Sequence, residues 1–168
     1  MIISNQLSCM GALALCISLI AVGHAGTPAQ KQARREIEAD YQKMDQSLMR
    51  KDVEGAAAFE APDYRSFYQS GASLSRAQQI AQARQTSEAV KSVPKVKTKI
   101  ISLTWRGHDA IVISQSTVVL MIMKGSQLVR AERVGVCRDY WSHNPTGWQI
   151  RQSVEKSAKG WVNGKRVS

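Results

Sequence analysis

The closing stretch of the chain, Arg138-Asp139-Tyr140-Trp141, then Ser142-His143-Asn144-Pro145-Thr146-Gly147, then Trp148-Gln149-Ile150, constrains its fold more than any other segment. Two aromatic-rich runs flank a Pro/Gly turn, with Trp141 and Trp148 on either side of it, as in an antiparallel hairpin. The preceding segments extend that hairpin into a sheet. Lys95 to Trp105 alternates, with Ile101, Leu103 and Trp105 of one parity together with Lys97 and Lys99. Arg106-Gly107-His108-Asp109 is a turn, Ala110 to Met123 is long and β-branched, and Lys124-Gly125-Ser126 turns the chain again. Leu128 to Trp141 returns, and Trp148 to Glu155 closes the sheet with Trp148, Ile150 and Val154 on one side.

The first half reads as helix. Ile37, Tyr41, Met44 and Leu48 recur at spacings of four, three and four, which predicts an amphipathic helix from Ala33 onward. Lys51-Asp52 breaks that pattern, and Asp52 can cap a second, short helix through Phe59, ended by Pro62. Tyr64 to Tyr68 reads as a strand or extended segment. Ser75-Arg76-Ala77-Gln78 has the form of a capping box, which predicts a third helix to about Ala89, with Ala77, Ile80 and Ala81 inward. Helices followed by an antiparallel meander give an α+β layer structure, with the helices packed on one sheet face.

The chain has 168 residues, which suits one domain. Met10 to Val22 is almost wholly apolar and ends in Gly23-His24-Ala25, so residues 1–25 read as a signal peptide cleaved near Ala25. No Lys or Arg precedes Lys31, so the positive start of that leader rests on the amino terminus alone. Cys16 follows Leu15 rather than a small residue, and Cys9 has no apolar region before it, so neither has a lipidation setting. The expected product is exported, periplasmic or secreted. Residues 26–32 read as a flexible leader, 33–157 as the folded domain and 158–168 as a basic tail. Cys137 is the one cysteine after the leader, so no intramolecular disulfide is expected.

The formal net charge is +10, and every charged side chain lies after Ala25. That surplus keeps an exported protein soluble and also suits an anionic surface; export makes nucleic acid an unsuitable partner. Val118-Val119-Leu120-Met121-Ile122-Met123 is apolar at every position, which predicts burial of both faces of that strand. A twin subunit packed on the outward face would supply it, giving a homodimer; the chain's own tail, with Trp161 as a lid, is the alternative.

Three stretches in order, Ile37-x-x-x-Tyr41 to Lys51-Asp52, Ser75-Arg76-Ala77-Gln78-Gln79-Ile80, and Asp139-Tyr140-Trp141-Ser142 with Gly147-Trp148-Gln149-Ile150, resemble the nuclear transport factor 2-like superfamily. That superfamily includes ketosteroid isomerases and SnoaL-like polyketide cyclases; the most similar branch is the small exported bacterial proteins classed as a domain of unknown function. The resemblance implies helices packed on a curved antiparallel sheet, forming a cone with a central pocket. It also implies a pocket lined by Tyr41, Met44, Tyr68, Trp105, Cys137, Asp139 and Trp141.

The isomerase chemistry itself needs a carboxylate base with a tyrosine and a protonated acid as oxyanion donors. Tyr64-Arg65-Ser66-Phe67-Tyr68 holds no acid, and Ala110 to Met123 offers only Ser114, Ser116 and Thr117. The tyrosine expected on the first helix aligns nearer Met44 than Tyr41. Asp139 and Tyr41 are the catalytic candidates that remain. An ion pair of Asp139 with Arg133 or Arg151 is the simpler expectation for that acid. Cys137 reads as a buried apolar side chain, and His108 and His143 as solvated turn residues with no third ligand near. No metal or cofactor is expected. The first reading is an exported domain that binds a small apolar or aromatic molecule without isomerase chemistry. A lyase or isomerase acting on a small carbonyl compound through Asp139 is the second. An interaction domain using its basic surface is the third.

Overall fold

The computed structural model describes residues 27–167; the leader at 1–25 lies outside them. Helix α1 spans Pro28–Met49, α2 Val53–Ala57 and α3 Arg76–Ala89. The strands are β1 Glu60–Phe67, β2 Ser73–Ser75, β3 Val90–Arg106, β4 Asp109–Lys124, β5 Gln127–Asn144, β6 Gly147–Val162 and β7 Lys165–Val167. They form one sheet in the order β2-β1-β6-β5-β4-β3, with β7 on β6. Only the β1–β6 pairing is parallel. The sheet is curved, and α1 and α3 lie across its inner face, as the α+β pattern predicts.

Helix α1 begins five residues before Ala33. Thr27 and Gln30 form a reciprocal capping box and Pro28 takes the first turn, so residues 28–32 are helical and not a loose leader. Its inward stripe is Ile37, Tyr41 and Asp45, with Met44 partly buried against the core. Asp45 was not legible as a core residue. Its carboxylate accepts from Thr98 N (2.7 Å) and Thr98 Oγ1 (2.8 Å), tying α1 to β3.

Helix α2 stops at Ala57, short of Phe59, and Pro62 lies inside β1. Pro62 falls at the register irregularity between Glu60 and Arg65, where a missing N–H breaks no ladder. Helix α3 buries no residue, and Ala77 and Ala81 face solvent. Its half-buried side is Arg76, Gln79, Ile80, Ala83 and Ser87, because the helix roofs a cavity instead of sitting on the sheet.

Two β-bulges revise the alternation. On β3 the register moves from Ile100↔Ser114 to Ser102↔Ile113, so Ile101 is the extra residue and is 57 % exposed. Ile100, Leu103 and Trp105 therefore face inward, while Lys97 and Lys99 face outward. On β6 the register moves at Arg151, so Ser153 rather than Val154 turns inward beside Asp139.

The apolar run on β4 divides by parity. Val118 and Leu120 line the interior cavity. On the outer side Val119 is only 4 % exposed within a single chain, and Met123 is 49 % exposed. Trp161 shares Val119's cross-strand row through Glu132. The tail does not fray: β6 runs on to Val162 and turns back into β7.

Candidate functional site

The narrow end of the cone is closed by Ile37, Tyr41, Tyr64, Ala110, Val112, Trp141, Trp148 and Ile150. Asp139, 4 % exposed, lies among them on the inner face of β5. Three hydroxyls converge on its carboxylate. Tyr41 Oη donates to Oδ2 at 2.6 Å from α1, Ser114 Oγ to Oδ2 at 2.7 Å from β4, and Ser153 Oγ to Oδ1 at 2.5 Å from β6. Trp141 Nε1 in turn donates to Tyr41 Oη at 3.1 Å, and the two rings meet edge-on with centroids 5.0 Å apart.

No guanidinium joins this group. Arg133 pairs with Glu155 at 2.7 Å and Arg151 with Asp63, so the expected ion pair of Asp139 is replaced by hydroxyls. Burial raises the Asp139 pKa, and the bonds from Ser153, Tyr41 and Ser114 oppose that rise only in part. Burial also raises the Tyr41 phenol, with the Asp139 charge adding to it. Cys137 faces the same interior, and burial pushes its thiol up to about 11, which leaves no thiolate at neutral pH.

A second buried acid stands at the β1 side. Burial pushes Glu60 up to about 7, against the pull of Arg76. Gln79 Nε2 donates to Glu60 Oε1 at 2.9 Å. Glu60 Oε2 and Arg76 Nε, 4.0 Å apart, have no hydrogen-bond partner among the described residues. Nothing in the sequence pattern marked Glu60, because it lies at the start of β1, before the segment read as strand.

Two concavities compare in size. One of about 610 Å³ is lined by Asp63, Arg65, Arg106, Asp109 and Arg151, charges that suit water. The other, about 510 Å³, lies between the C-terminal end of α1, α3 and the sheet. Leu48, Val53, Val96, Val118 and Leu120 wall it, with Gln79, Gln82 and Arg133 as its polar members. A mostly apolar cleft with a few polar groups is the usual form of a small-molecule site.

Of the residues expected to line a pocket, Tyr68 lines this cavity. Tyr41, Asp139 and Trp141 form the closed group beneath it, Met44 and Trp105 pack around the core, and Cys137 is half-buried. Trp105 also lies 6.1 Å from Trp148, in a surface depression that His108 and His143 share. Ser153 escaped the sequence reading, since only the bulge at Arg151 turns it inward.

A helical layer over a curved sheet of this order is shared with known structures. The chain superposes on a candidate scytalone dehydratase from Novosphingobium aromaticivorans with a TM-score of 0.67 and 14 % identity, over 77 % of this chain and 87 % of that one. The fold is that of the nuclear transport factor 2-like superfamily. A nuclear transport factor 2-like protein from Salmonella enterica gives a TM-score of 0.61 at 15 % identity, covering 76 % and 92 % of the two chains. A nuclear transport factor 2-like protein with a cystatin-like fold from Novosphingobium aromaticivorans gives 0.54 at 17 %, covering 76 % and 82 %. No family model and no curated protein matches the sequence. At such identities the nuclear transport factor 2-like likeness extends to the fold, and function rests on the site.

Proposed function

We propose that this chain is an exported small-ligand-binding domain, which takes an apolar or aromatic molecule into the cavity beneath α3. The observation that carries the reading is the apolar cavity of about 510 Å³, roofed by a helix that buries none of its own residues. A helix held off its sheet leaves apolar wall uncovered, and a ligand that covers it gains roughly 25 cal/mol per Å² removed from water. Gln79, Gln82 and Arg133 give such a ligand a place for one polar group.

Isomerase chemistry is no part of this reading. Asp139 lines none of the cavities described above, and a general base must come within hydrogen-bond reach of the proton it takes. Three hydroxyls already occupy its oxygens. Export rests on the leader, and intact-mass measurement of exported material tests it: loss of residues up to Ala25 supports it, and a full-length mass in the cytosol contradicts it.

One observation favours a second reading, a lyase or isomerase for a small carbonyl compound. A buried acid with a raised pKa, bonded to a tyrosine, is an arrangement found at catalytic sites. The two readings separate on one pair of variants. Ligand binding that survives Asp139→Asn and fails in Ala83→Phe supports a binding domain. Turnover of a carbonyl substrate that vanishes in Asp139→Asn supports the enzyme.

A further inference from the structure

The outer face of the sheet carries a charge pattern that the cavity does not explain. Residues paired across antiparallel strands project to the same face. Lys95↔Val119, Val119↔Glu132, Glu132↔Trp161 and Trp161↔Arg166 therefore make one continuous row across β3 to β7. The next row is Lys97, Thr117, Val134 and Lys159. Lys95, Lys97 and Lys99 are exposed and line a groove of about 220 Å³ with Gln115 and Thr117. No acid lies within ion-pair distance of these three lysines among the described residues. The one acid in these rows, Glu132, is taken by Arg130 at 2.7 Å.

At the β4–β5 end the same face becomes apolar. Met123 and Leu128 are cross-strand partners, 49 % and 53 % exposed, on either side of the turn at Gly125. Lys124 and Arg130 flank them and are also exposed. An apolar hairpin tip ringed by cations fits one kind of surface better than others. A soluble polyanion uses the lysines but has no use for Met123 and Leu128. A second copy of this chain covers the apolar pair but brings lysine rows against lysine rows, and that repulsion opposes a two-fold pairing through this face.

We propose that this face docks on an anionic lipid membrane. The lysines of β3 and the β6–β7 end meet headgroup phosphates, and Met123 and Leu128 enter the headgroup boundary. No described helix is long and apolar enough to cross a membrane, so the association is peripheral. Each Lys or Arg held near an anionic leaflet adds about 1 kcal/mol of attraction, which makes three lysines worth a binding change on the order of a hundredfold.

The test is flotation of the purified protein with vesicles of phosphatidylglycerol mixed with phosphatidylcholine, beside phosphatidylcholine alone. Two variants accompany it, a triple charge reversal (K95E, K97E, K99E) and an apolar deletion (M123S, L128S). Both alter exposed side chains, and circular dichroism checks that each still folds. Binding to the anionic vesicles only, lost on the order of a hundredfold in the first variant and at least severalfold in the second, is the expected result. Vesicle binding unchanged in either folded variant overturns the proposal. So does a solution dimer that the apolar deletion converts to monomer. Heparin binding that needs the lysines, with no vesicle binding, also overturns it and assigns the face to a soluble polyanion.

Discussion

Tyr41 Oη donates to Asp139 Oδ2 across 98 positions of sequence, at 2.6 Å, and so fastens α1 to the middle of the sheet. The phenol also accepts from Trp141 Nε1 at 3.1 Å, so one oxygen satisfies two buried partners. Tyr41→Phe leaves the indole N–H without an acceptor and removes one of three donors from the carboxylate. An unsatisfied buried group costs about 1–3 kcal/mol, and chemical denaturation is expected to read a loss in that range. Ser153→Ala removes a donor without stranding an indole, so its loss is expected to be smaller.

The buried acids set a pH dependence whose sign is fixed. Burial raises Glu60 from 4.5 to about 7 and raises Asp139 above 3.8. Between the unfolded and folded values the folded chain holds a proton that the unfolded chain has released. Raising the pH through that window therefore favours unfolding. For Glu60 the window runs from 4.5 to about 7, and its contribution to stability is lost as pH rises across it. Thermal unfolding of Glu60→Gln against wild type checks this: the variant is expected to show the shallower fall in Tm from pH 4.5 to 7. Equal slopes in the two proteins would contradict it.

The architecture was legible because its signals are local. Strand alternation, the capping box at Ser75–Gln78 and the Gly/Pro turns each rest on a few neighbouring residues. The site was less legible, because its geometry depends on register. The bulges at Ile101 and Arg151 add single residues that reverse the parity of everything beyond them, and nothing in the letters marks either. Asp139 was visible as a candidate, but its partners were not. A charge in sequence invites a countercharge, whereas the fold supplies Ser114, Ser153 and Tyr41 from three different elements. The inward position of Asp45 was hidden for a similar reason, since its acceptor role needs the backbone of Thr98, 53 positions away.

Lys51 ends α1 in the left-handed region, with φ at 61°, a place that suits glycine. Its Nζ donates to the Val90 carbonyl at 2.7 Å, which offsets the backbone cost and closes one side of the cavity. Lys51→Ala keeps the strain and loses the bond, so it is expected to be the less stable of two variants. Lys51→Gly loses the bond but relieves about 1 kcal/mol of strain. Chemical denaturation of both variants orders them, and alanine at least as stable as glycine would contradict the account.

Native mass spectrometry of the protein purified from its own host tests the central claim most directly. Ala83 faces the cavity from α3, and Ala83→Phe fills the space a ligand would take. The account predicts a small molecule travelling with the wild type, absent from Ala83→Phe and retained by Asp139→Asn. A wild type that is bare, and that also fails to bind apolar fluorescent probes, would contradict it.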